Sequence, residues 1–531
     1  MTDSIESVGE SQDGGGKPHN RVADFFGDDG AFVDDPLACL PKISAVSRDA
    51  PRISRAAWAA LQNSNTPARL FNFGGGPARV GKDADGSVCV QHLDEKKFRH
   101  ELSRSAQWFR RRENGDSVTD SPAMPSRDIV QDMLAAPEIP LPTLLQIVHS
   151  PVFSRDGALR TTPGYDADCK SYYAPAKSFR VPNVHRDPNG AAIEWARRLI
   201  CDDLLGDFPF VSAAEKAHAV ALALQPFARN IIDGCTPLYV VEKPSPGTGA
   251  TKMVESLTWM FLGREIESTT EAKDDDEWRK RITSTLKSAP AYFFIDNLSQ
   301  TLASAHLSSA ITVKAWNDRM LGFSRDITVK PHCTWIATGN NPSYSEEMTR
   351  RIVRIRLDAR IERPYLRPLE SFRHRLPEWA KENRPRLVWA ALTLIRAWVA
   401  AGKPKGKRSV GMFESWAEVM GGILDVAGVP GFLGNLDQLY ESSNSERAAW
   451  SALIGIWWDG HQDKFLKSSQ IYPLVVRHDV PLDVGSGTDQ SRKIRLGDLV
   501  TLHRDQVFTI EAGGETLRLR LERSDKQTQR T

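Results

Sequence analysis

A short segment with closely spaced glycines, PSPGTGATK (residues 244–252), has the residue types needed to bind phosphate. Gly247 and Gly249 let the backbone turn so that its N–H groups face inward, and Thr251 offers a hydroxyl to Mg²⁺. The segment lies between an apolar strand and a helical stretch, whose positive end would also attract an anion. It therefore predicts a site for nucleotide phosphates and Mg²⁺. The predicted binding residues are Pro246, Gly247, Thr248, Gly249, Ala250, Thr251 and Lys252.

Two positions depart from the usual pattern of a phosphate-binding loop. Pro244 replaces the first glycine, and Ala250 stands where a lysine is expected. Lys252 follows two residues later, which is about 200° around a helix axis, so it cannot simply substitute for the lysine. Lys243, ahead of the loop, is another candidate donor. An ordinary PGTG turn would explain the segment equally well, so the prediction depends on what surrounds it.

An aspartate follows at the place where a magnesium ligand is expected. The apolar run of AYFFIDN ends in Asp296, 45 residues after Thr251. A carboxylate at the end of a buried strand can hold Mg²⁺ together with a hydroxyl from the loop. The next residue, Asn297, stands where a glutamate would commonly activate water. A neutral amide can orient water but is a poor base.

Two further groups extend the pattern. The run TWIATGNN ends in Asn340 and Asn341, where ring ATPases place a polar residue that senses the γ-phosphate. Arg350 and Arg351 follow, and a planar guanidinium with a permanent charge suits the charge that develops on a phosphoryl group. Four elements in this order predict a P-loop ATPase fold. The candidate catalytic residues are Asp296, Asn297, Asn340, Asn341, Arg350 and Arg351.

From about Leu204 to Arg375 the chain resembles the replicative ATPase-helicases of phages, plasmids and integrative elements, which are related to AAA+ and superfamily-three helicases. The resembling runs include PSPGTGATKM, FFIDN, WNDRMLGFS, WIATGNN and TRRIVRIRLDARIERPYLR, with a looser likeness on either side. The resemblance implies ATP and Mg²⁺ as cofactors, a ring expected to be a hexamer, and movement along single-stranded or forked DNA. Priming is not implied, because residues 1–185 show no primase carboxylate constellation.

The elements that must position these groups follow from hydrophobic periodicity. Apolar strands alternate with helical segments over residues 188–375, which predicts an α/β P-loop core with a mostly parallel sheet and helices on both faces. Residues 1–50 carry ten acids against four bases and predict a disordered acidic tail. Residues 51–187 predict an accessory α+β domain whose chemistry the sequence does not reveal.

The C-terminal part of the chain divides into two predicted regions. Residues 376–478 are nearly all helical, and their tryptophans are better explained as packed core than as a platform for stacking bases. Those tryptophans are Trp379, Trp389, Trp398, Trp416, Trp457 and Trp458. Residues 479–531 predict a helix and a two-stranded wing hinged at Gly513–Gly514, a pattern compatible with a winged-helix DNA-binding domain.

Composition limits the class of protein without naming a partner. Lys+Arg 69 against Asp+Glu 67 leaves a net charge of +2. The six cysteines lie far apart with no CxxC pair, which argues against a zinc ribbon or a disulfide scaffold and fits a reducing cytoplasm. The acidic start predicts no secretory signal, and the most apolar stretch, residues 387–402, is too short and too charged to span a bilayer. A cytoplasmic protein without a membrane partner is expected.

The distribution of charge favours a polyanionic partner. Residues 350–410 hold 17 Lys+Arg against five Asp+Glu, although a solvated basic face would explain that run as well. The segment 316–330 resembles the region that bears a pore-facing hairpin in such helicases. The candidate DNA contacts are Arg319, Arg325, Lys330, Lys403, Lys405, Lys407 and Arg408.

Three functions compete. The leading one is an ATP-dependent, DNA-translocating ATPase that acts in the replication of a mobile element. The alternative is a DNA-binding scaffold or loader that binds ATP but hydrolyses it weakly or not at all, because Ala250 replaces the P-loop lysine. A metabolic P-loop enzyme, such as a small-molecule kinase, leaves the arginine pair and the C-terminal third unexplained.

Overall fold

The computed structural model describes residues 39–46, 49–84, 86–114, 117–319, 326–443, 445–485, 487–512 and 515–522. The chain forms two compact units, one of Met1–Thr66 with Leu93–Leu141 and one of Pro67–His92 with Pro142–Thr531. The stretch predicted as a single accessory domain, residues 51–187, is therefore divided between the two units. Most of the predicted acidic tail lies outside the described residues.

The elements are numbered in chain order. The strands are β1 (Lys42–Ser44), β2 (Leu70–Phe73), β3 (Gly76–Lys82), β4 (Val88–His92), β5 (Gln107–Asn114), β6 (Ser117–Pro122), β7 (Gln146–Val148), β8 (Val152–Phe153), β9 (Leu159–Arg160), β10 (Gly164–Asp166), β11 (Ser171–Tyr173), β12 (Leu238–Lys243), β13 (Ser268–Thr270), β14 (Tyr292–Leu298), β15 (Trp316–Arg319), β16 (Asp326–Val329), β17 (Thr334–Asn340), β18 (Ile352–Arg356), β19 (Val507–Ala512) and β20 (Glu515–Arg520). The α-helices are α1 (Ala50–Ser64), α2 (Glu95–Ser105), α3 (Arg127–Leu134), α4 (Gly190–Arg198), α5 (Ala213–Ala228), α6 (Ala250–Leu262), α7 (Asp275–Leu286), α8 (Ala305–Thr312), α9 (Glu346–Thr349), α10 (Glu378–Glu382), α11 (Arg384–Ala400), α12 (Glu414–Val426), α13 (Leu436–Ser443), α14 (Ser445–His461), α15 (Ser468–Arg477) and α16 (Asp489–Leu502).

The first unit is a small α+β body. Helices α1, α2 and α3 pack on one another, and β1, β5 and β6 form a sheet in that order, with β1 parallel and β6 antiparallel to β5. Its core includes Trp58 and Phe98, whose ring centroids lie 5.4 Å apart. Helix α2 runs directly into the β5–β6 hairpin, because Ala106 is the only residue between them.

The second unit is built on a five-stranded sheet in the order β13-β14-β17-β12-β18, in which every neighbouring pair is parallel. The residues of β12 from Leu238 to Glu242 are all buried, as are those of β17 from Thr334 to Gly339. Successive side chains of a strand point to opposite faces, so both faces of these strands are covered. The predicted mixed α/β core with a parallel sheet is confirmed at this level.

A polar cluster inside the second unit ties the helical region to this sheet. The Gln225 side chain on α5 accepts hydrogen bonds from the Tyr239 hydroxyl at 2.9 Å and from Trp416 Nε1 at 2.8 Å. Its amide nitrogen donates to the Thr334 hydroxyl at 3.0 Å. Buried polar groups are costly unless they are paired, so this cluster favours one register of α5, α12 and the sheet.

The tryptophans predicted as core divide into two sets. Trp389, Trp398 and Trp416 are buried in the main core. Trp457 and Trp458 pack against a second cluster, which runs from Ala449 to Leu521 and joins α14, α15, α16 and the β19–β20 hairpin. Three helices followed by a hairpin therefore share one core, which begins upstream of the predicted boundary at residue 479. The predicted hinge at Gly513–Gly514 lies outside the described residues.

A β-hairpin, β15–β16, is inserted between β14 and β17 along the chain. Asp318 anchors it to α7, because its carboxylate accepts hydrogen bonds from Arg279 at 2.9 Å and from the Thr283 hydroxyl at 2.5 Å. The turn between β2 and β3 packs against Ile327 of β16, because a Cβ built on Gly74 would lie 2.7 Å from Ile327 Cγ1.

Within the described part of the chain, no helix is long and apolar enough to cross a membrane.

Candidate functional site

The glycine-containing loop joins β12 to α6 at the carboxyl ends of the parallel strands. Gly247 has φ of +83° and Gly249 of +106°, a region that residues with a Cβ rarely adopt. A Cβ built on Gly247 would also lie 2.7 Å from Tyr365 Cβ, so both the backbone angle and the available space require glycine there. The Thr248 hydroxyl donates to the Ser245 carbonyl at 2.8 Å and closes the loop on itself.

The start of α6 is open toward a cleft. Gly249 is the N-cap and offers no side chain to the first-turn N–H groups, whereas Ser212 and Asp274 cap α5 and α7. Uncapped N–H groups at a helix start attract anions. The cleft measures about 1020 Å³ and is lined by the loop on one side and by residues 364–378 on the other.

Cationic groups line this cleft in place of the missing lysine. Lys243 and Lys252 both lie on its wall together with Gly247 and Gly249. The rotation of about 200° argued against Lys252, yet the cleft lining extends along the first three residues of α6 and includes it. Ala250, which stands where the P-loop lysine is expected, is only 1% exposed. Arg367 and Arg375 also line the cleft, together with the carboxylates of Asp207, Glu370 and Glu378.

Asp296 lies on β14, which is separated from the loop strand β12 by β17, and a threonine of β17 contacts its carboxylate. The Thr338 hydroxyl of β17 donates to Asp296 Oδ1 at 2.5 Å and accepts from the Asn297 backbone N–H at 2.9 Å. Asn297 has φ of +63° at a register shift between β14 and β17. Asparagine adopts this left-handed region more readily than most residues, which accounts for Asn at the bulge on backbone grounds alone.

The two asparagines that end β17 have different roles. Asn340 is exposed and lies opposite Lys243 in the strand register. The Asn341 side chain accepts a hydrogen bond from Arg356 at 3.0 Å, and Arg356 also pairs with the buried Glu242 at 3.1 Å. Asn341 therefore belongs to a network at the end of the sheet, whereas Asn340 is exposed opposite Lys243, the residue that precedes the loop.

Arg350 and Arg351 lie at the amino ends of the strands, opposite the end that carries the glycine loop. The Arg351 carbonyl accepts a hydrogen bond from the N–H of Leu238, the first residue of β12, at 2.8 Å. The loop follows the last residue of that strand, so about 17 Å separates the arginine pair from the loop of the same chain. The Arg351 side chain is 13% exposed and binds Glu347, whereas that of Arg350 is 64% exposed and pairs with Glu346 on the surface.

The candidate DNA contacts of the hairpin region are separated. Arg319 is exposed at the end of β15, and Arg325 lies outside the described residues. Lys330 follows β16 at the base of the hairpin, where partial burial and then the Arg229 guanidinium lower its pKa. Only Arg319, of the two described, lies toward the tip of the hairpin.

The basic run in the linker after α11 is mostly engaged within the protein. Lys403 Nζ donates to the Asp156 carbonyl at 2.5 Å, and Lys405 pairs with Glu418 at 3.0 Å. Arg408 donates to the Leu433 carbonyl at 2.7 Å. Lys407 is exposed, and its side chain has no hydrogen bond or ion pair with the described residues. Three of the four cations thus bind groups within the protein. These contacts stabilise the linker and leave Lys407 as the one cation of this run without a partner among the described residues.

Three residues beside the site were not predicted from the sequence. Thr338 was a polar residue inside an apolar strand, and since buried hydroxyls need partners, that position was the available signal. Tyr365 lies directly on Gly247, and nothing in its local sequence marks it. On α6, Glu255 lies one turn after Thr251, and burial followed by the carboxylates of Glu265 and Asp296 raises its pKa.

The donors present suit Mg²⁺ only as part of a nucleotide complex. The described residues contain no group of three or more His, Cys, Asp or Glu side chains that could hold an ion. Mg²⁺ usually keeps several waters and binds one or two carboxylates together with substrate phosphates. The Asp296 carboxylate accepts one hydrogen bond at Oδ1 and keeps further acceptor capacity, and Thr251 lines the cleft, so both are donors of the type that such a site uses.

No protein-family model matches the chain, and no curated protein sequence does. Weak structural likeness exists to the C-terminal region of NrS-1 in its apo A form, at 11% identity and a TM-score of 0.32 over 83% of this chain and 87% of that one. The chain is also similar to Cch of SCCmec type IV, described as an active helicase, at 10% identity and a TM-score of 0.31 over 85% and 97%. For a JCV helicase with a bound acetamide compound, the identity is 15% and the TM-score 0.23, over 50% of this chain and 64% of that one. Likenesses this low do not establish function.

Proposed function

We propose that the chain is an ATP-dependent, DNA-translocating ATPase of the helicase type that acts in the replication of a phage, plasmid or integrative element. The observation that carries the proposal is that the strands before the glycine loop, β14 with Asp296 and β17 with Asn340 are parallel members of one sheet, so all three groups lie toward its carboxyl end. Ligands of open α/β sheets bind outside the carboxyl ends of the strands. The open helix start and the cleft cations add the charge that a triphosphate requires.

In this proposal each group has a defined task. The backbone from Gly247 to Ala250 and the start of α6 would hold the phosphates, and Thr251 and Asp296 would hold Mg²⁺. The metal would bridge phosphate oxygens and offset the charge that develops on them. Asn340 would contact the γ-phosphate beside Lys243, and the exposed Arg350 would reach the site of a neighbouring copy in a ring.

Measuring ATP turnover by the purified chain with and without single-stranded DNA tests the proposal. Turnover that rises when DNA is added is the expected result, because a translocating motor couples hydrolysis to the strand it grips. Tight ATP binding without turnover under both conditions would contradict it and would support the scaffold instead.

The scaffold or loader is kept as a second candidate because of two residues. Ala250 removes the lysine that normally contacts the β- and γ-phosphates, and Asn297 offers no base. In that case nucleotide occupancy would change the shape of a DNA-binding ring without being hydrolysed. ATP turnover separates the two candidates, whereas Lys243, opposite Asn340 in the strand register, is the cation proposed to take the place of the lysine in either one.

Lys243→Ala is expected to weaken ATP binding about 10- to 100-fold, because a charge-assisted contact contributes about 1.5–3 kcal/mol. Lys252→Ala is expected to have a smaller effect, since this exposed side chain is less restrained. Titration with a fluorescent ATP analogue measures both. Lys280→Ala, exposed on α7 and outside the cleft, is the matched control. If both cleft variants bind like the control, the loop holds phosphate through backbone amides alone.

A further inference from the structure

The first unit carries a row of exposed basic side chains along α2. Lys96, His100 and Arg104 follow one another at intervals of four residues and are all exposed. This spacing places them on one face of the helix, and the Arg104 guanidinium contacts His100 Nδ1 at 2.7 Å. The opposite face of α2, with Phe98 and Leu102, is buried in the core of the unit.

The basic row continues into the hairpin that follows α2. Arg110 and Arg112 are both exposed and alternate along β5, so they lie on the same face of the hairpin. The residues opposite them on β6 are the uncharged Ser121 and Thr119. Arg111, on the other face, is paired with Asp120 at 2.9 Å. The helix and the hairpin that directly follows it therefore carry four exposed cations, Lys96, Arg104, Arg110 and Arg112, with His100 between the two on the helix.

The acidic residues near this surface are occupied elsewhere. Glu95 binds Arg127 at 2.9 Å and Gln131 at 3.0 Å, both on α3. Asp94 caps the start of α2 through the Lys97 N–H at 2.8 Å, and Glu101 is 2% exposed. Among the described residues of the unit, no acidic side chain forms an ion pair with Lys96, Arg104, Arg110 or Arg112. The positive charge of the row is left for a partner.

The shape and composition of this surface favour a duplex over a single strand. Proteins that bind single strands combine basic grooves with exposed aromatic rings on which bases stack. The large apolar side chains exposed in the described part of this unit are Val46, Val118 and Met124, and none is aromatic. An exposed helix of 11 residues, about 16 Å long, has the size that enters a major groove, and a hairpin beside it can contact the adjacent backbone.

We propose that the first unit binds double-stranded DNA through α2 and the β5–β6 hairpin. Lys96, His100 and Arg104 face the groove, and Arg110 and Arg112 contact phosphates alongside it. This surface is distinct from the nucleotide cleft of the second unit and needs neither ATP nor Mg²⁺. It gives the chain a way to stay on a duplex independently of any motor activity.

Fluorescence anisotropy of the full chain with a labelled duplex, without nucleotide, tests this proposal. Two double variants are compared with wild type: Lys96→Gln with Arg104→Gln on the helix, and Arg110→Gln with Arg112→Gln on the hairpin. Each is expected to weaken duplex binding about tenfold. The hairpin double should also reduce the slope of log K against log[salt] by about 2, since its two arginines contact phosphates and each such contact contributes about 0.9. Arg52→Gln with Arg55→Gln on α1 removes the same charge elsewhere in the unit and is expected to bind like wild type.

Three results separate the alternatives. Replacing Arg104 and Arg110 by lysine keeps the charge and should preserve most binding, which shows that a loss in the glutamine variants is not unfolding. Unchanged affinity and salt slope in both glutamine doubles, or an equal loss in the α1 control, would overturn the proposal. An equal loss for a single strand of the same length would assign the surface to single strands instead. The Asp296→Asn chain should keep duplex binding, so failure of the ATPase proposal would leave this result intact.

Discussion

Arg350→Ala is expected to reduce ATP turnover about 10³- to 10⁵-fold while leaving ATP binding nearly unchanged, the range for a catalytic arginine supplied in trans. The residue lies about a strand length from the loop of its own chain, which excludes direct action there. Its surface ion pair with Glu346 is weak enough to be exchanged for a phosphoryl group. Steady-state turnover and nucleotide titration on the same preparation measure the two quantities.

Mixing Arg350→Ala with Asp296→Asn provides the sharper version of this test. Some interfaces in a mixed ring combine an intact pocket with an intact arginine, so turnover should partly return when the two inactive chains are combined. Arg351→Ala is a useful comparison, because that side chain is mostly buried against Glu347 and its loss should lower stability instead. If mixing restores nothing while both variants still assemble, the arginine acts in packing and the proposed shared site is wrong.

Asp296→Asn is expected to lower magnesium-dependent turnover about 100-fold or more. Loss of a residue that merely supports a metal ligand typically costs about 10–100-fold in affinity, and Asp296 is proposed as a ligand itself. The amide can still accept the hydrogen bond from Thr338, so the strand pairing and the fold should persist. Turnover measured across a magnesium titration checks the change, with thermal unfolding as the measure of the fold.

Asp276→Asn is the matched control, since that carboxylate is 78% exposed on α7 and makes only a surface ion pair with Arg279. It should behave like wild type across the same titration. Wild-type turnover in the Asp296 variant would remove this residue from the metal site. A fall in stability together with activity would point to the Thr338 contact as its main role.

Local patterns predicted the strands that carry the site. The apolar run before Asp296 and the mostly apolar run before Asn340 each became a buried strand, because strands of a parallel sheet with both faces covered lack the alternation of polar residues that an exposed face requires. The segment 316–330 resembled a hairpin region, and the structure has the β15–β16 hairpin there. The roles assigned to these residues in nucleotide and DNA binding stay predictions.

Contacts between residues far apart in the chain could not be predicted from the spacing of residues in the sequence. The linker cations looked free in the sequence, yet Lys403 binds the carbonyl of Asp156, 247 residues away. Likewise, no spacing rule distinguishes Arg350 from Arg351, because exposure depends on how α9 meets the start of β18. Residues 51–187 were predicted to form one accessory domain, whereas in the structure they are divided between two compact units.

The sequence by itself determined which short segments could bind phosphate, end a buried strand or carry charge, because glycine conformation, apolar runs and residue charge are properties of neighbouring residues. Only the tertiary structure decided that Thr338 lies beside Asp296, that Lys243 lies opposite Asn340 and that residues 364–378 close the cleft. Those pairings depend on the order of strands in the sheet. That order is set by how all helices and strands bury their apolar faces against one another, and a short segment of the chain holds no information on its distant packing partners.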